Sequence, residues 1–236
     1  MDKNLRLSLL SGASIKVKNI GRIHPLTLRE IGEIGEDKYN QYLSLLTLDK
    51  EVLEEREDIN LDKINSFDIL AGNSHYDRNF RKNIEEGLSI FFKEEVAFIE
   101  DYFIFHVGKI EEERFIHREN FNEIVKILKL QNNIRDRVKT NIKTSKKAQL
   151  LSKKRDMGRK LISPAREENS ITLSDLISVM GVFTKNLSTV LDMTIFQLYD
   201  QYERFIKREN YKSSFDMYLV GVDPKKLSLD KHWTLT

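Results

Sequence analysis

The sequence predicts an α+β protein, mostly α-helical, with a small antiparallel sheet in the N-terminal half and a helical C-terminal part. Three observations carry that prediction. Proline and glycine are scarce, at 3 and 10 in 236 residues, which disfavours an all-β sandwich. Apolar residues recur at helical spacing in several windows, and capping boxes introduce some of them. Residues 96–117 instead switch to runs rich in aromatic and β-branched residues, the composition of strands. Apolar residues are 40% and charged residues 32% of the chain, so it can bury a core and keep a solvated surface.

Taken in order, residues 5–24 read as extended. Ser14-Ile-Lys-Val-Lys18 and Gly21-Arg-Ile-His24 alternate, with a break at Asn19-Ile20-Gly21, so a β-hairpin is expected. Pro25 ends it. Thr27-Leu-Arg-Glu30 is a capping box for a helix presenting Leu28, Ile31 and Ile34, and Gly35 is its stop. Asp37 is expected to cap the next helix, which carries Tyr39, Tyr42, Leu43, Leu45 and Leu46. Residues 36–62 hold nine Asp or Glu against Lys38, Lys50 and Arg56; a solvated surface is favoured over a docking site for a basic partner. Ser66 is expected to cap a short helix with Phe67, Ile69 and Leu70, broken at Gly72-Asn73. A second helix runs from Asp77 through Phe80, Ile84, Leu88, Phe91 and Phe92. Strands follow at 96–99, 102–107 and 113–117, with a turn at Gly108. Asn120-Phe-Asn-Glu123 then opens a helix with Phe121, Ile124, Val125, Ile127 and Leu128.

Residues 135–168 differ in kind. They carry twelve Lys or Arg against four acidic residues, and no aromatic residue. This stretch reads as a basic linker or charged helix ended by Ser163-Pro164. It divides the chain into an N-terminal α+β domain (1–134), the basic segment (135–168) and a helical C-terminal domain (169–236). Thr172-Leu-Ser-Asp175 caps a helix bearing Leu173, Leu176, Ile177, Met180 and Phe183. The strongest helical signal of the chain comes next. Thr194 and Gln197 form a capping box, and Ile195, Leu198, Tyr199, Tyr202, Phe205 and Ile206 share one face. A last helix holds Phe215, Tyr218 and Leu219 and stops at Gly221.

The residues argue against most chemistries. There is no cysteine, which excludes disulfides and thiolate sites and fits a reducing cytoplasm. His24, His75, His106, His117 and His232 show no metal-ligand spacing. His75-Tyr-Asp77 reads as a polar turn, and His106 as a packed or rim strand residue. Gly32-Glu-Ile-Gly35 lacks the strand, lysine and βαβ context of a phosphate loop, and there is no Gly-x-Ser-x-Gly elbow. The expectation is a protein without cofactor, metal or catalytic site. No apolar run is long enough for a membrane span. Two partner surfaces remain as candidates. One is the basic cluster Lys146, Lys147, Lys153, Lys154 and Arg155, which fits a solvated linker, an acidic protein partner or a nucleic-acid backbone. The other is the stripe of Phe196, Tyr199, Tyr202 and Phe205, favoured as core and available to a partner only where no neighbouring helix covers it.

Three stretches carry a family resemblance. They are Ile20-Gly-Arg-Ile-His-Pro-Leu-Thr-Leu-Arg-Glu-Ile-Gly-Glu-Ile-Gly35 with Lys38-Tyr-Asn-Gln-Tyr-Leu43, Glu119-Asn-Phe-Asn-Glu-Ile-Val-Lys-Ile-Leu-Lys-Leu-Gln-Asn132, and Asp192-Met-Thr-Ile-Phe-Gln-Leu-Tyr-Asp-Gln-Tyr-Glu-Arg-Phe205. The chain resembles tail-morphogenesis proteins of tailed bacteriophages of Gram-positive bacteria, described as tail assembly chaperones. That resemblance implies a non-enzymatic protein of the host cytoplasm. Such a protein coats the helical tape-measure protein, gives way to the tail-tube protein, forms homo-oligomers along its client and leaves the finished particle. Two alternatives stay open: a structural component of the tail or baseplate, retained in the virion, and a nucleic-acid-binding protein using residues 135–168.

Overall fold

The structure is a computed structural model that describes residues 2–48, 64–134, 171–223 and 227. It is an α+β fold: two small antiparallel sheets lie in the N-terminal half, and the C-terminal part is helical.

The chain opens with a helix, α1 (Lys3–Ser11), where the residue pattern suggested extended backbone. Leu5 and Leu9 stand at i and i+4, and Leu9 is buried, so the helical period wins over a short stretch that also alternates. Gly12 ends the helix at φ +68°. The expected hairpin follows as β1 (Ile15–Val17) and β2 (Gly21–Ile23), in the register Ile15 to Ile23 and Val17 to Gly21. Val17, Ile20 and Ile23 are buried.

The capping box predicted at Thr27 and Glu30 begins α2 (Leu28–Ile34): the Thr27 hydroxyl accepts from the Glu30 N–H at 3.2 Å, and the Glu30 carboxylate accepts from the Thr27 N–H at 2.8 Å. Gly35, at φ +93°, both closes α2 and starts α3 (Glu36–Leu46). Asp37 therefore sits inside the first turn of α3 and is not its cap. A carboxylate there still complements the positive end of the helix dipole. Helix α4 (Ser66–Tyr76) is capped by Asn65, one residue before the expected Ser66. It runs straight through Gly72-Asn73, where a break was expected. Burial of Phe67, Leu70, Ala71 and Ser74 along one face outweighs the roughly 1 kcal/mol that an internal glycine costs. Asp77 caps α5 (Arg78–Phe92), accepting from the Asn79 and Phe80 N–H groups at 2.8 and 3.1 Å.

Strands β3 (Val96–Ile99), β4 (Ile104–Val107) and β5 (Phe115–Ile116) form the second sheet in that order, all antiparallel. Phe98 faces Phe105, and Phe105 faces Ile116. Helix α6 (Arg118–Gln131) starts a turn earlier than expected, with His117 as its cap. The Asn120 side chain reaches back to accept the His117 N–H at 2.9 Å, so the residue read as a cap is the third of the helix. The C-terminal part comprises α7 (Leu173–Thr184), α8 (Leu187–Leu191) and α9 (Ile195–Leu219). Helix α9 is continuous over 25 residues and joins two stretches read as separate helices; no glycine or proline interrupts it.

One hydrophobic cluster holds all of this. It contains Leu28, Ile31, Phe91, Phe105 and Ile124 from the N-terminal half, with Leu176, Met180, Val190, Met193, Ile195 and Leu198 from the C-terminal part.

Candidate interaction surface

The first turns of α9 are bound to the N-terminal half by several polar contacts. Thr27 and Thr194 pair in an isolated antiparallel bridge, which sets the two predicted capping boxes side by side. The Leu28 N–H donates to the Met193 carbonyl at 2.8 Å. Gln197 supplies its carbonyl oxygen to the Thr194 N–H at 2.7 Å and donates from its amide nitrogen to the Leu10 carbonyl at the end of α1, at 2.8 Å. Arg29 donates to Asp192 at 2.9 and 3.1 Å, and Arg6 reaches Asp200 at 3.4 Å. Sequence spacing alone could not show that these side chains serve two elements at once.

The predicted aromatic stripe divides on this frame. Tyr199 and Tyr202 are half-buried and pack against the core, as does Phe205. Tyr199 also lines a cavity of about 610 Å³ with Leu43, Thr47, Asn132, Ile134, Ile171 and Leu173. Phe196 is half-buried. Ile134 and Ile171 both line that cavity. Lys146, Lys147, Lys153, Lys154 and Arg155 lie outside the described residues.

Beyond Phe205 the character of α9 changes. No residue of the helix after that point is buried. Phe215, Met217, Tyr218, Leu219 and Val220 are exposed large apolar residues, and Phe215 and Tyr218 stack with ring centroids 6.4 Å apart. Tyr211, Phe215 and Tyr218 are spaced i, i+4, i+7, as are Leu198, Tyr202 and Phe205. The two sets are out of phase: at 100° per residue the distal stripe lies about 140° round the helix from the proximal one. The helix thus turns one apolar face to its own core and presents a second one away from that direction. Val182 and Leu187 add further exposed apolar surface on α7 and α8, and the half-exposed Phe183 packs on Phe205 at 4.9 Å. The sequence named Phe215, Tyr218 and Leu219, but the phase shift that turns them outward becomes visible only once the two stretches are one helix. The end is tight: the Gly221 and Val222 N–H groups donate to the Tyr218 and Met217 carbonyls, the pairing of a Schellman motif.

The other polar clusters are internally paired. Tyr42 donates to the Glu86 carboxylate at 2.5 Å, and the Lys38 ammonium stands 3.2 Å from the same group, beside a cavity of about 630 Å³. Hydrogen bonds from Tyr42 and Lys38 hold the Glu86 carboxyl below its usual range. Arg114 bridges Glu94 and Glu112 and donates to the Ile20 carbonyl. His106 is buried in β4 against Phe115, as its strand position suggested. His75 lies in α4, its ring 4.7 Å from that of Phe103, while Asp77 is spent on capping α5. Among the described residues no three His, Asp or Glu side chains gather to hold a metal ion, and no helix is long and apolar enough to cross a membrane.

Comparisons with known proteins fall on the segment that carries this surface. No curated protein and no solved structure matches the chain. A sequence-family profile described as the YomV second domain matches residues 165–235, less than a third of the chain but including all of α7, α8 and α9. That family is phage-associated, so the C-terminal part of this chain is similar to a domain of phage proteins.

Proposed function

We propose that the chain is a non-enzymatic phage tail-assembly protein that binds a helical client, the tape-measure protein, during morphogenesis. The observation that carries this reading is the second apolar face of α9, which a folded monomer has no need to display. A helix end that exposes Phe215 and Tyr218 is suited to reversible packing against another amphipathic helix. The phage-associated match over the same residues supports the same reading, as does the resemblance of residues 192–205 to tail assembly chaperones. On this account the N-terminal half is the platform that fixes the root of α9, and the distal turns are the working surface. The tail-tube protein and further copies of the chain are the other partners it would meet. Nucleic acid and membrane have no part in it.

The test is quantitative mass spectrometry of purified particles beside the producing-cell lysate. The chaperone reading expects the chain in the lysate, bound to the tape-measure protein, and its loss from the particle. A fixed copy number in the particle would overturn that reading and assign the chain to the tail or baseplate structure.

A further inference from the structure

Helix α7 carries no charged side chain between Asp175 and Lys185. Its inward side holds Leu176 and Met180, both buried in the shared cluster. At 100° per residue Val182 stands opposite them, flanked by Asp175, Ser178 and Val179. All four are exposed, Val182 by 81%. On one side of this face α8 closes against Gly181, where an added Cβ would meet Leu187 at 3.1 Å. On the other side Phe183 packs on Phe205 of α9. The arc between these two contacts stays open. Asp175 bounds the face at one end and Lys185 at the other. One Asp175 oxygen accepts from the Thr172 N–H and hydroxyl at 2.9 and 2.7 Å. Among the described residues its second oxygen accepts nothing, and Lys185 enters no ion pair.

We infer that this face of α7 is a self-association surface: its partner is the same face on a second copy, antiparallel across a two-fold axis at the level of Met180. This deepens the reading above, which counts further copies of the chain among the partners without placing them. The two end charges choose both the occupant and its direction. Asp175 and Lys185 are equally far from residue 180, so an antiparallel pair brings each Asp175 to Lys185 of the second copy, twice over. A parallel pair would set like charges side by side. One charge of each sign, at opposite ends, is therefore complementary to itself. The same register lays Val182 of one copy on Ser178 of the other, a large side chain into the gap over a small one. The uncharged middle buries no ion when it is covered. Asp175 and Lys185 span only about 15 Å of helix, which buries less than the roughly 800 Å² per partner of a standard interface. The pair is accordingly weak and concentration-dependent, and it gains strength where copies line up on one client.

Sedimentation velocity of the full-length protein at rising concentration is expected to show reversible monomer–dimer exchange. Val182→Arg weakens the dimer by about tenfold or more, because it buries an unpaired charge, and leaves the thermal midpoint unchanged. Lys185→Asp, at a left-handed position that aspartate accepts, weakens it by setting two carboxylates together at each end. Asp175→Lys does the same with two ammonium groups. An equimolar mixture of these two folded variants restores the dimer, since both ends then join opposite charges. The chain has no cysteine, so Ser178→Cys and Val182→Cys give a second readout that leaves the Thr172 cap intact. Mild oxidation of the two variants together yields the mixed 178–182 disulfide in excess of either symmetric one, resolved by intact mass. A monomer at every concentration would overturn the proposal. So would a dimer indifferent to Val182→Arg, which moves association to another surface. A charge-variant mixture that stays monomeric, or symmetric disulfides in excess, would refute the antiparallel register. Each of these leaves the particle measurement above unaffected, so the two readings fail separately.

Discussion

Replacing Leu198 and Phe215 by alanine, one at a time, separates the two halves of α9. Leu198 is fully buried, in the cluster shared by both parts of the chain. Its truncation loses the transfer free energy of the removed carbons and leaves a cavity, which together cost about 2–5 kcal/mol for a buried leucine. The upper half of that range applies here. The walls of the site are tied by the Leu28–Met193 and Gln197–Leu10 hydrogen bonds, so they cannot collapse freely into the space. At about 2–4 °C per kcal/mol for a chain of this size, the midpoint falls by roughly 7–20 °C. Phe215 is 44% exposed and lies on the other face, so its truncation costs within about 0.5 kcal/mol. Thermal and urea unfolding followed by circular dichroism read both. A comparable loss in the two variants would refute the reasoning, because it would mean that the distal stripe is covered by the folded chain itself.

Other expectations follow from single contacts. Thr194→Ala removes a cap and is expected to cost about 1 kcal/mol, measured as a shift in the urea midpoint. Gly108→Ala forces a Cβ onto Arg114 at φ +73°, so it combines left-handed strain of about 1–2 kcal/mol with disturbance of the Arg114–Glu94 pair, and lowers the thermal midpoint. Arg29→Ala breaks an exposed pair with Asp192 and should cost no more than about 1 kcal/mol in the same assay. Acid weakens the fold in two steps. Burial and then Lys93 and Arg22 lower the pKa of His24, so its contribution is full above its ordinary 6.5 and is lost as pH falls through 6.5 towards the folded value. Burial works to raise Glu30, but hydrogen bonds from Lys93 and Thr27 prevail and lower it; the hydrogen bond from Arg114 lowers Glu94. Those carboxylates contribute above their ordinary 4.5, and that contribution is lost as pH falls through their folded pKa values. Unfolding midpoints measured from pH 8 to pH 3 should fall first near 6.5, a step absent in His24→Gln, and again below 4.5.

Much of the fold was legible where local chemistry and tertiary packing agree. The boxes at Thr27, Thr172 and Thr194 mark true helix starts, because a hydroxyl three residues before a carboxylate or amide satisfies backbone groups whatever else is nearby. The strands between Val96 and Ile116 were legible as elements but not in their bounds: Tyr102 and Phe103 fall in a turn before β4, and β5 is confined to Phe115 and Ile116. Reading failed where a distant partner decides. Residues 3–11 are helical because Leu9 is buried and Leu10 meets Gln197, almost the whole chain away. Gly72 stays helical because both sides of it bury large residues. Of the candidate surface, Tyr199 and Tyr202 pack half-buried against the core, while the exposed Phe215 and Tyr218 were hidden by reading α9 as two helices. A cap is a property of four residues, but a face is a property of a whole helix and of what it packs against.

The central claim is that the outward face of α9 meets a helical phage protein during assembly. A photo-crosslinking amino acid at position 218, introduced into the chain in phage-producing cells, tests it most directly. The account predicts crosslinks to the tape-measure protein in the lysate and none carried into purified particles. Crosslinks confined to the chain itself, or to a protein of the finished tail, would contradict it.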